Sequence, residues 1–132
     1  MTPSPGPGSA HPDDVAQVAA RLDEERRGLV GRIAGMAGDM EALIAASQDS
    51  NADDEHDPEG QTIAYERAQL AHVTDRARAQ LAEVDAALRR AADGTYGLCE
   101  ECGEPIPPAR LEVRPTARTC VQHAATGGSS AR

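Results

Sequence analysis

The sequence predicts a mainly α protein, in which a long antiparallel helical hairpin precedes a small module that carries three cysteines. Two stripes of apolar residues recur at helical spacing, and a short polar segment separates them. The predicted boundaries are a disordered tail at 1–12, the hairpin at 13–93, the module at 94–125 and a second disordered tail at 126–132. Both tails lack apolar periodicity.

The composition excludes a thick globular core. The chain has 132 residues, of which 39% are hydrophobic, but it contains no Phe or Trp and much of the hydrophobic fraction is alanine. Its formal charge is −9, and all 13 basic residues are arginine, against 22 acids. Such a surface repels phosphate backbones, so direct DNA binding is not expected. Stability is expected from long helices, a metal or both.

The sequence shows neither a signal peptide nor a run of apolar residues long enough to span a membrane. We therefore expect a cytoplasmic protein that does not contact membranes. In a reducing compartment, three clustered cysteines are typical of metal ligands more than of disulfides.

The first stripe predicts a helix over about residues 14–48, and the second predicts one over about 58–92. The stripes consist of Val15, Val18, Leu22, Leu29, Ile33, Met36, Met40 and Leu43, then Ile63, Leu70, Val73, Ala77, Leu81, Val84 and Leu88. Asp57 followed by Pro58 marks the start of the second helix, and Asp93 followed by Gly94 marks its end.

Two helices of about 35 residues would each be about 52 Å long. The short linker between them favours an antiparallel coiled coil with a tip near residues 49–60. The same stripes could pair between chains, so the expected state is a monomer or a weak homodimer. Four glycines share one face of the first helix, at Gly28, Gly31, Gly35 and Gly38. They either admit a close neighbour or are simply tolerated.

The three cysteines and a histidine have the spacing of a zinc site. Cys99 and Cys102 form a CxxC pair before Gly103, and Cys120 and His123 form a second pair after 17 intervening residues. Each pair can present two ligands to one tetrahedral ion, and a closed site of four ligands is structural. The alternatives are idle thiols or a redox CxxC, but no βαβ context supports the latter. We therefore predict a small C-terminal zinc finger with one Zn²⁺.

At these residues the chain resembles the DksA/TraR family of RNA polymerase regulators. The resemblance rests on Tyr96, Gly97, Cys99, Cys102, Gly103, Ile106, Arg110, Leu111, Pro115 and Cys120. It implies a factor that binds RNA polymerase and not DNA. The hairpin would enter the secondary channel of the polymerase, and the tip would act at the catalytic centre, often together with ppGpp.

Two features depart from the family pattern. His123 stands where the family has a fourth cysteine, which makes the site one charge unit less negative. The family tip carries two aspartates three residues apart beginning Asp-Pro, whereas Asp57-Pro58 leads here to Gly60, and Asp54 and Asp57 also stand three apart. The register of the tip therefore stays open.

The tip is acidic, because no basic residue occurs between Arg32 and Arg67. The candidate tip residues are Asp53, Asp54, Glu55, Asp57 and Glu59. An acidic connector of this kind is usually just solvated, but the family resemblance favours a tip that acts at the polymerase centre. Calcium binding is a weaker alternative, since the loop lacks the twelve-residue calcium pattern.

On the second helix, Arg67, Arg76 and Arg78 are candidates for a basic face toward polymerase or ppGpp, or for a solvated face. The absence of lysine from the chain weakens the expectation of a ppGpp response. Tyr65 is expected to pack across the hairpin or to touch a partner.

In the finger, we expect an apolar cluster beside the zinc and two arginines paired with nearby acids. The cluster would consist of Tyr96, Ile106, Leu111 and Val113, and Arg110 and Arg114 would pair with Glu100, Glu101 or Glu104. Short strands could form part of this module.

The resulting hypothesis is a transcription regulator without enzymatic activity, since no activated nucleophile or open metal position is visible. The alternative is a structural adaptor that uses the coiled coil and the finger for protein contacts alone.

Overall fold

A computed structural model describes residues 12–50 and 58–124. Its elements are α1 (Pro12–Ser50), α2 (Pro58–Asp93), the short α3 (Pro108–Val113) and a 3₁₀ turn at Val121–His123. The predicted fold class is confirmed, with two long helices that form a hairpin and a small C-terminal finger. The predicted tip residues 51–57 and the predicted disordered tails, apart from Pro12, lie outside the described residues.

Helix α2 begins at Pro58 as predicted and ends one residue later than predicted, at Asp93. Gly94 has a φ of 86°, a conformation that side chains disfavour, and this allows the chain to reverse. The N–H groups of Thr95 and Tyr96 then donate to the carbonyl of Arg90 at 3.0 and 3.1 Å. The last turn of α2 is therefore closed by backbone bonds, as a glycine stop requires.

The central part of the hairpin, residues 26–82, forms one compact unit. Here α1 and α2 run antiparallel. Arg32 of α1 lines the same groove as Gln80 of α2, and Leu43, later in α1, lines the same groove as Tyr65, which is earlier in α2. Leu29, Ile63 and Ala77 are buried within this unit. Most of the remaining stripe residues are partly exposed, as expected when each helix has a single neighbour.

A second unit contains residues up to Glu25 and those from Glu83 onward. Its core combines Leu22 of α1 and Val84 of α2 with Ile106 of the finger, all of which are almost fully buried. Ala86, Ala87 and Ala117 of the same unit are buried as well. The finger is thus part of the same core as the ends of the two helices.

Within residues 12–50 and 58–124, nothing packs against the four helical glycines of α1. A Cβ atom added at Gly28, Gly31, Gly35 or Gly38 would meet no atom within 4 Å. Of the two interpretations left open by the sequence, the described residues support tolerance, since none of them is a close neighbour of these glycines.

None of the helices in residues 12–50 and 58–124 combines the length and the apolar character that a membrane span requires.

Candidate metal centre

The first pair of candidate ligands lies in a tight turn directly after α2. The N–H of Cys99 donates to the carbonyl of Glu104 at 2.8 Å, and the N–H of Gly103 donates to the carbonyl of Cys99 at 2.9 Å. Gly103 has a φ of 74°, a left-handed conformation that glycine adopts without the strain that a side chain would cause. These bonds hold the side chains of Cys99 and Cys102 on the same side of the turn.

The second pair is brought together by the 3₁₀ turn at Val121–His123. Its closing bond runs from the N–H of His123 to the carbonyl of Cys120, at 3.0 Å. Because one 3₁₀ turn contains three residues, side chains three apart lie above one another. Cys120 and His123 therefore point to the same side.

The four candidate ligands converge. Their ligand atoms all lie within 4.8 Å of one another. The Sγ atoms of Cys102 and Cys120 are 4.0 Å apart, and Cys99 Sγ lies 3.9 Å from His123 Nδ1. Zinc bonds of about 2.3 Å to sulfur and 2.0–2.1 Å to nitrogen would separate two tetrahedral sulfurs by about 3.8 Å and sulfur from nitrogen by about 3.6 Å. The cluster therefore fits a zinc ion held through Nδ1.

One distance is shorter than the tetrahedral value. Cys120 Sγ lies 3.0 Å from His123 Nδ1, which is a hydrogen-bond distance. This bond lowers the pKa of the Cys120 thiol and raises the pKa of His123. Because metal ligands must be deprotonated, the pair would release its shared proton on binding zinc and open by about half an ångström.

The environment of Cys99 favours a thiolate. Burial acts to raise the pKa of its thiol, but hydrogen bonds from the backbone N–H groups of Cys120, Cys102 and Glu101 outweigh burial and lower the pKa to about 6. A buried thiolate that accepts such bonds is prepared to bind a cation. Together, the donor set, the spacing and the charge fit a structural zinc site.

The segment that leads to Cys120 is held by hydrogen bonds from outside the segment. Tyr96 Oη donates to the carbonyl of Pro115 at 2.8 Å, and Arg90 Nη2 lies 3.4 Å from the carbonyl of Thr116. The N–H of Glu100 donates to the carbonyl of Arg118 at 2.8 Å, and Arg110 Nε donates to the carbonyl of Thr119 at 2.9 Å.

The predicted short strands are absent from the described residues, which contain only an isolated bridge between Leu98 and Pro105.

Sequence reasoning missed the main ion pair of the finger. Arg118 donates to both carboxylate oxygens of Glu83 in α2, at 2.7 and 2.8 Å, and also approaches Glu100 at 3.5 Å. This bidentate bond lowers the pKa of Glu83 and raises that of Arg118. The only available signal was the position of Arg118, two residues before a candidate ligand.

Two details of the predicted finger need correction. Tyr96 and Ile106 are buried, but Val113 is 82% exposed, because it ends the short helix α3 and faces outward. Arg110, which was expected to pair with an acid, donates to the carbonyl of Thr119 instead. The acid contact of Glu100 comes from Arg118.

The three candidate arginines of α2 do not form one basic face. Arg67, Arg76 and Arg78 are all exposed. At 100° per residue, Arg78 lies about 20° around the helix from Arg67, whereas Arg76 lies about 180° from it. Arg76 instead borders a groove between α1 and α2 that also contains Arg32 and Asp39.

Near the tip, the structure describes only part of the predicted site. Glu59 is exposed in the first turn of α2. Asp53, Asp54, Glu55 and Asp57 lie outside the described residues. Tyr65 is 65% exposed, and its hydroxyl accepts a hydrogen bond from Gln69 Nε2 at 2.7 Å.

Comparisons with known proteins agree with this architecture. Residues 94–122 match the prokaryotic dksA/traR C4-type zinc finger. The RNA polymerase-binding transcription factor DksA of Caulobacter vibrioides is 53% identical over 57 residues, or 43% of this chain and 40% of that protein. General stress protein 16O of Bacillus subtilis is 41% identical over 73 residues, or 55% of this chain and 45% of that protein. These alignments span less than half of either relative.

A solved structure extends the similarity beyond the finger. The structure of transcription factor DksA2 from Pseudomonas aeruginosa matches with a TM-score of 0.73 and 29% identity, and covers 96% of this chain and 94% of that chain. The similarity therefore covers the two long helices as well as the finger. The finger, the helical hairpin and these relatives support the assignment to the DksA/TraR family that the sequence motif indicated.

Proposed function

We propose that this protein is a transcription regulator that acts by binding RNA polymerase and that has no enzymatic activity of its own. The observation that carries the proposal is the match to DksA2 over nearly the whole chain, including both long helices. A relative with 53% identity in its aligned segment is named as an RNA polymerase-binding transcription factor. The finger alone would not distinguish this role from other protein contacts.

In this proposal the hairpin enters the secondary channel of the polymerase and presents its acidic tip to the catalytic centre. The charge distribution supports it, since nine acids and no basic residue lie between Arg32 and Arg67. Within the described part of that region, Asp39, Glu41, Glu59 and Glu66 are all exposed. A cavity that contains Mg²⁺ would attract such a tip.

The zinc ion has a structural role in the proposal, and its ligands are Cys99, Cys102, Cys120 and His123. When bound, zinc supplies four coordinate bonds that link the two turns of the finger. The residues of the chain then do the rest. Ile106 joins the finger to the core formed with Leu22 and Val84, so the finger fixes the end of the hairpin that is remote from the tip in sequence.

The test is a pull-down of purified RNA polymerase, followed by run-off transcription with the wild-type protein and the Asp57→Ala variant. We expect both proteins to bind polymerase and the variant to lose most of its effect on transcription. Asp13→Ala is a matched control, because it removes an exposed acid at the opposite end of the hairpin sequence. The effect of Asp13→Ala on transcription should equal that of the wild type.

Other outcomes of this experiment separate the alternatives. Absence of polymerase binding would refute the proposal and leave the structural adaptor as the remaining function. Binding with full activity in Asp57→Ala would refute the role of that tip residue, and Asp54→Ala would then test the other register. Addition of ppGpp to the same assay, with an alanine variant at each position, tests whether Arg67, Arg76 or Arg78 contributes to an alarmone response. A variant that loses the response identifies a contributing arginine, and an unchanged response in all three variants would exclude these residues.

A further inference from the structure

One side chain of the finger contacts both the first ligand turn and helix α2. Arg118 forms the bidentate bond to Glu83 and also lies 3.5 Å from a carboxylate oxygen of Glu100. The backbone repeats the second contact, because the N–H of Glu100 donates to the carbonyl of Arg118 at 2.8 Å. Arg118 therefore makes side-chain and backbone contacts with the first ligand turn.

The positions of these residues connect the ion pair to the metal centre. Glu100 directly follows Cys99, and Arg118 precedes Cys120 by two residues. The backbone bond between Glu100 and Arg118 can form only when the two ligand turns lie side by side. The same condition brings the four ligands within 4.8 Å of one another. The arrangement that creates the zinc site is thus also the one that directs Arg118 toward α2.

We propose that Arg118 is a positioning residue that couples zinc binding to helix α2. It strengthens zinc binding without contacting the metal, because it holds the two ligand turns together against Glu83. By thermodynamic linkage, bound zinc must in turn hold Arg118 against Glu83 to the same extent. This inference rests on the ligand set proposed above and does not depend on the polymerase partner.

A purely local ion pair would behave differently. It would stabilise the zinc-bound and zinc-free forms equally, and the affinity for zinc would stay unchanged when the pair was removed. Coupling requires that the pair be present mainly in the zinc-bound form. The guanidinium group matters as well, since lysine keeps the charge but cannot bind both carboxylate oxygens in a planar fork.

Zinc affinity, measured in the full chain by competition with a chromophoric chelator, distinguishes these cases. The variants are Arg118→Gln, Arg118→Lys, Glu83→Gln and the double variant Arg118→Gln/Glu83→Gln. The two side chains of the pair are 39% and 44% exposed, so solvent screening limits the loss of zinc affinity in each glutamine variant to about two- to fivefold, as for other partly exposed ion pairs. The double variant should lose no more zinc affinity than the single variant that binds zinc more weakly. Arg118→Lys should lose less zinc affinity than Arg118→Gln but should not reach the affinity of the wild type.

Arg89→Gln is the matched control, because Arg89 is an exposed arginine of α2 in the same unit. It removes the same charge and should bind zinc as the wild type does. An affinity of Arg118→Gln and Glu83→Gln equal to that of Arg89→Gln would overturn the inference. Glu83→Gln tests the contact from the helix, so the test stands even where Arg118→Gln does not fold.

Hydrogen exchange gives a second readout. Removal of zinc from the wild type should speed amide exchange at residues 84–88, which follow Glu83 in α2. In Arg118→Gln, exchange there should be fast already with zinc bound and should change little on chelation. An equal zinc-dependent change in both proteins would also overturn the inference. Absence of zinc binding in the wild-type protein would refute the proposed ligand set. This result differs from an unchanged zinc affinity in the Arg118 and Glu83 variants, which would refute only the coupling.

Discussion

Replacement of the four exposed glycines of α1 by alanine should stabilise the protein. Glycine costs about 0.8–1 kcal/mol relative to alanine in a helix interior, so the four changes at Gly28, Gly31, Gly35 and Gly38 together should contribute about 3–4 kcal/mol. The structure supports the full value, because an added Cβ at each position meets no atom within 4 Å and none of the four has a positive φ. Neither steric overlap nor backbone strain offsets the gain.

The assay is urea unfolding followed by circular dichroism at 222 nm. With a slope of about 2 kcal/mol per molar urea, each substitution should raise the midpoint by about 0.4–0.5 M. Gly94→Ala is the matched control, since its Cβ also meets no atom within 4 Å but its φ is 86°. A left-handed alanine costs about 1–2 kcal/mol, so this midpoint should fall. A fall in midpoint for any of the four helical substitutions would refute the reasoning and indicate that another surface packs against this face.

Three further predictions concern the core and the ion pair. Tyr96→Phe removes the hydrogen bond to Pro115 and should cost about 1 kcal/mol in urea unfolding, whereas a value near zero would mean that water replaces the hydroxyl. Leu29→Ala should cost about 2–5 kcal/mol in the same assay, and Val30→Ala, at an adjacent position that is 43% exposed, should cost less than about 0.5 kcal/mol. Because the folded pKa of Glu83 lies below its usual 4.5, its stabilisation is present above pH 4.5 and is lost as the pH falls through the lower folded value. The unfolding free energy of Glu83→Gln should therefore fall less than that of the wild type as the pH drops below 4.5, and an unchanged pH profile would contradict this assignment.

The sequence was sufficient for the elements that depend on local patterns. The ends of α2 follow from Pro58 and from Gly94, which act within a few residues of their position. The four clustered ligands follow from spacing, because a CxxC turn and a 3₁₀ turn each bring together residues three apart. The hairpin follows from two stripes that neither helix can bury alone.

The sequence was insufficient where a contact depends on the tertiary arrangement. Glu83 and Arg118 are 35 residues apart, and nothing local distinguishes Arg118 from Arg114 or Arg110. Val113 satisfies the apolar pattern of a core residue, yet it ends a helix of only six residues and is left exposed. The face of the four glycines is visible in the sequence, but the absence of a neighbour there required coordinates.

Arginine side chains hold in place the segment of the finger that leads to Cys120. The segment from Pro115 to Thr119 has no regular secondary structure, and buried carbonyls without partners would destabilise it. Arg90 and Arg110 donate to two of its carbonyls, and Arg118 anchors the segment to α2. A guanidinium carries five donors in a planar arrangement and is less strongly hydrated than an ammonium group, so it can bridge backbone and carboxylate groups at partly buried positions. The use of arginine at positions 90, 110 and 118 is therefore of physical consequence, because lysine there would keep the charge and lose the geometry that orders the approach to Cys120.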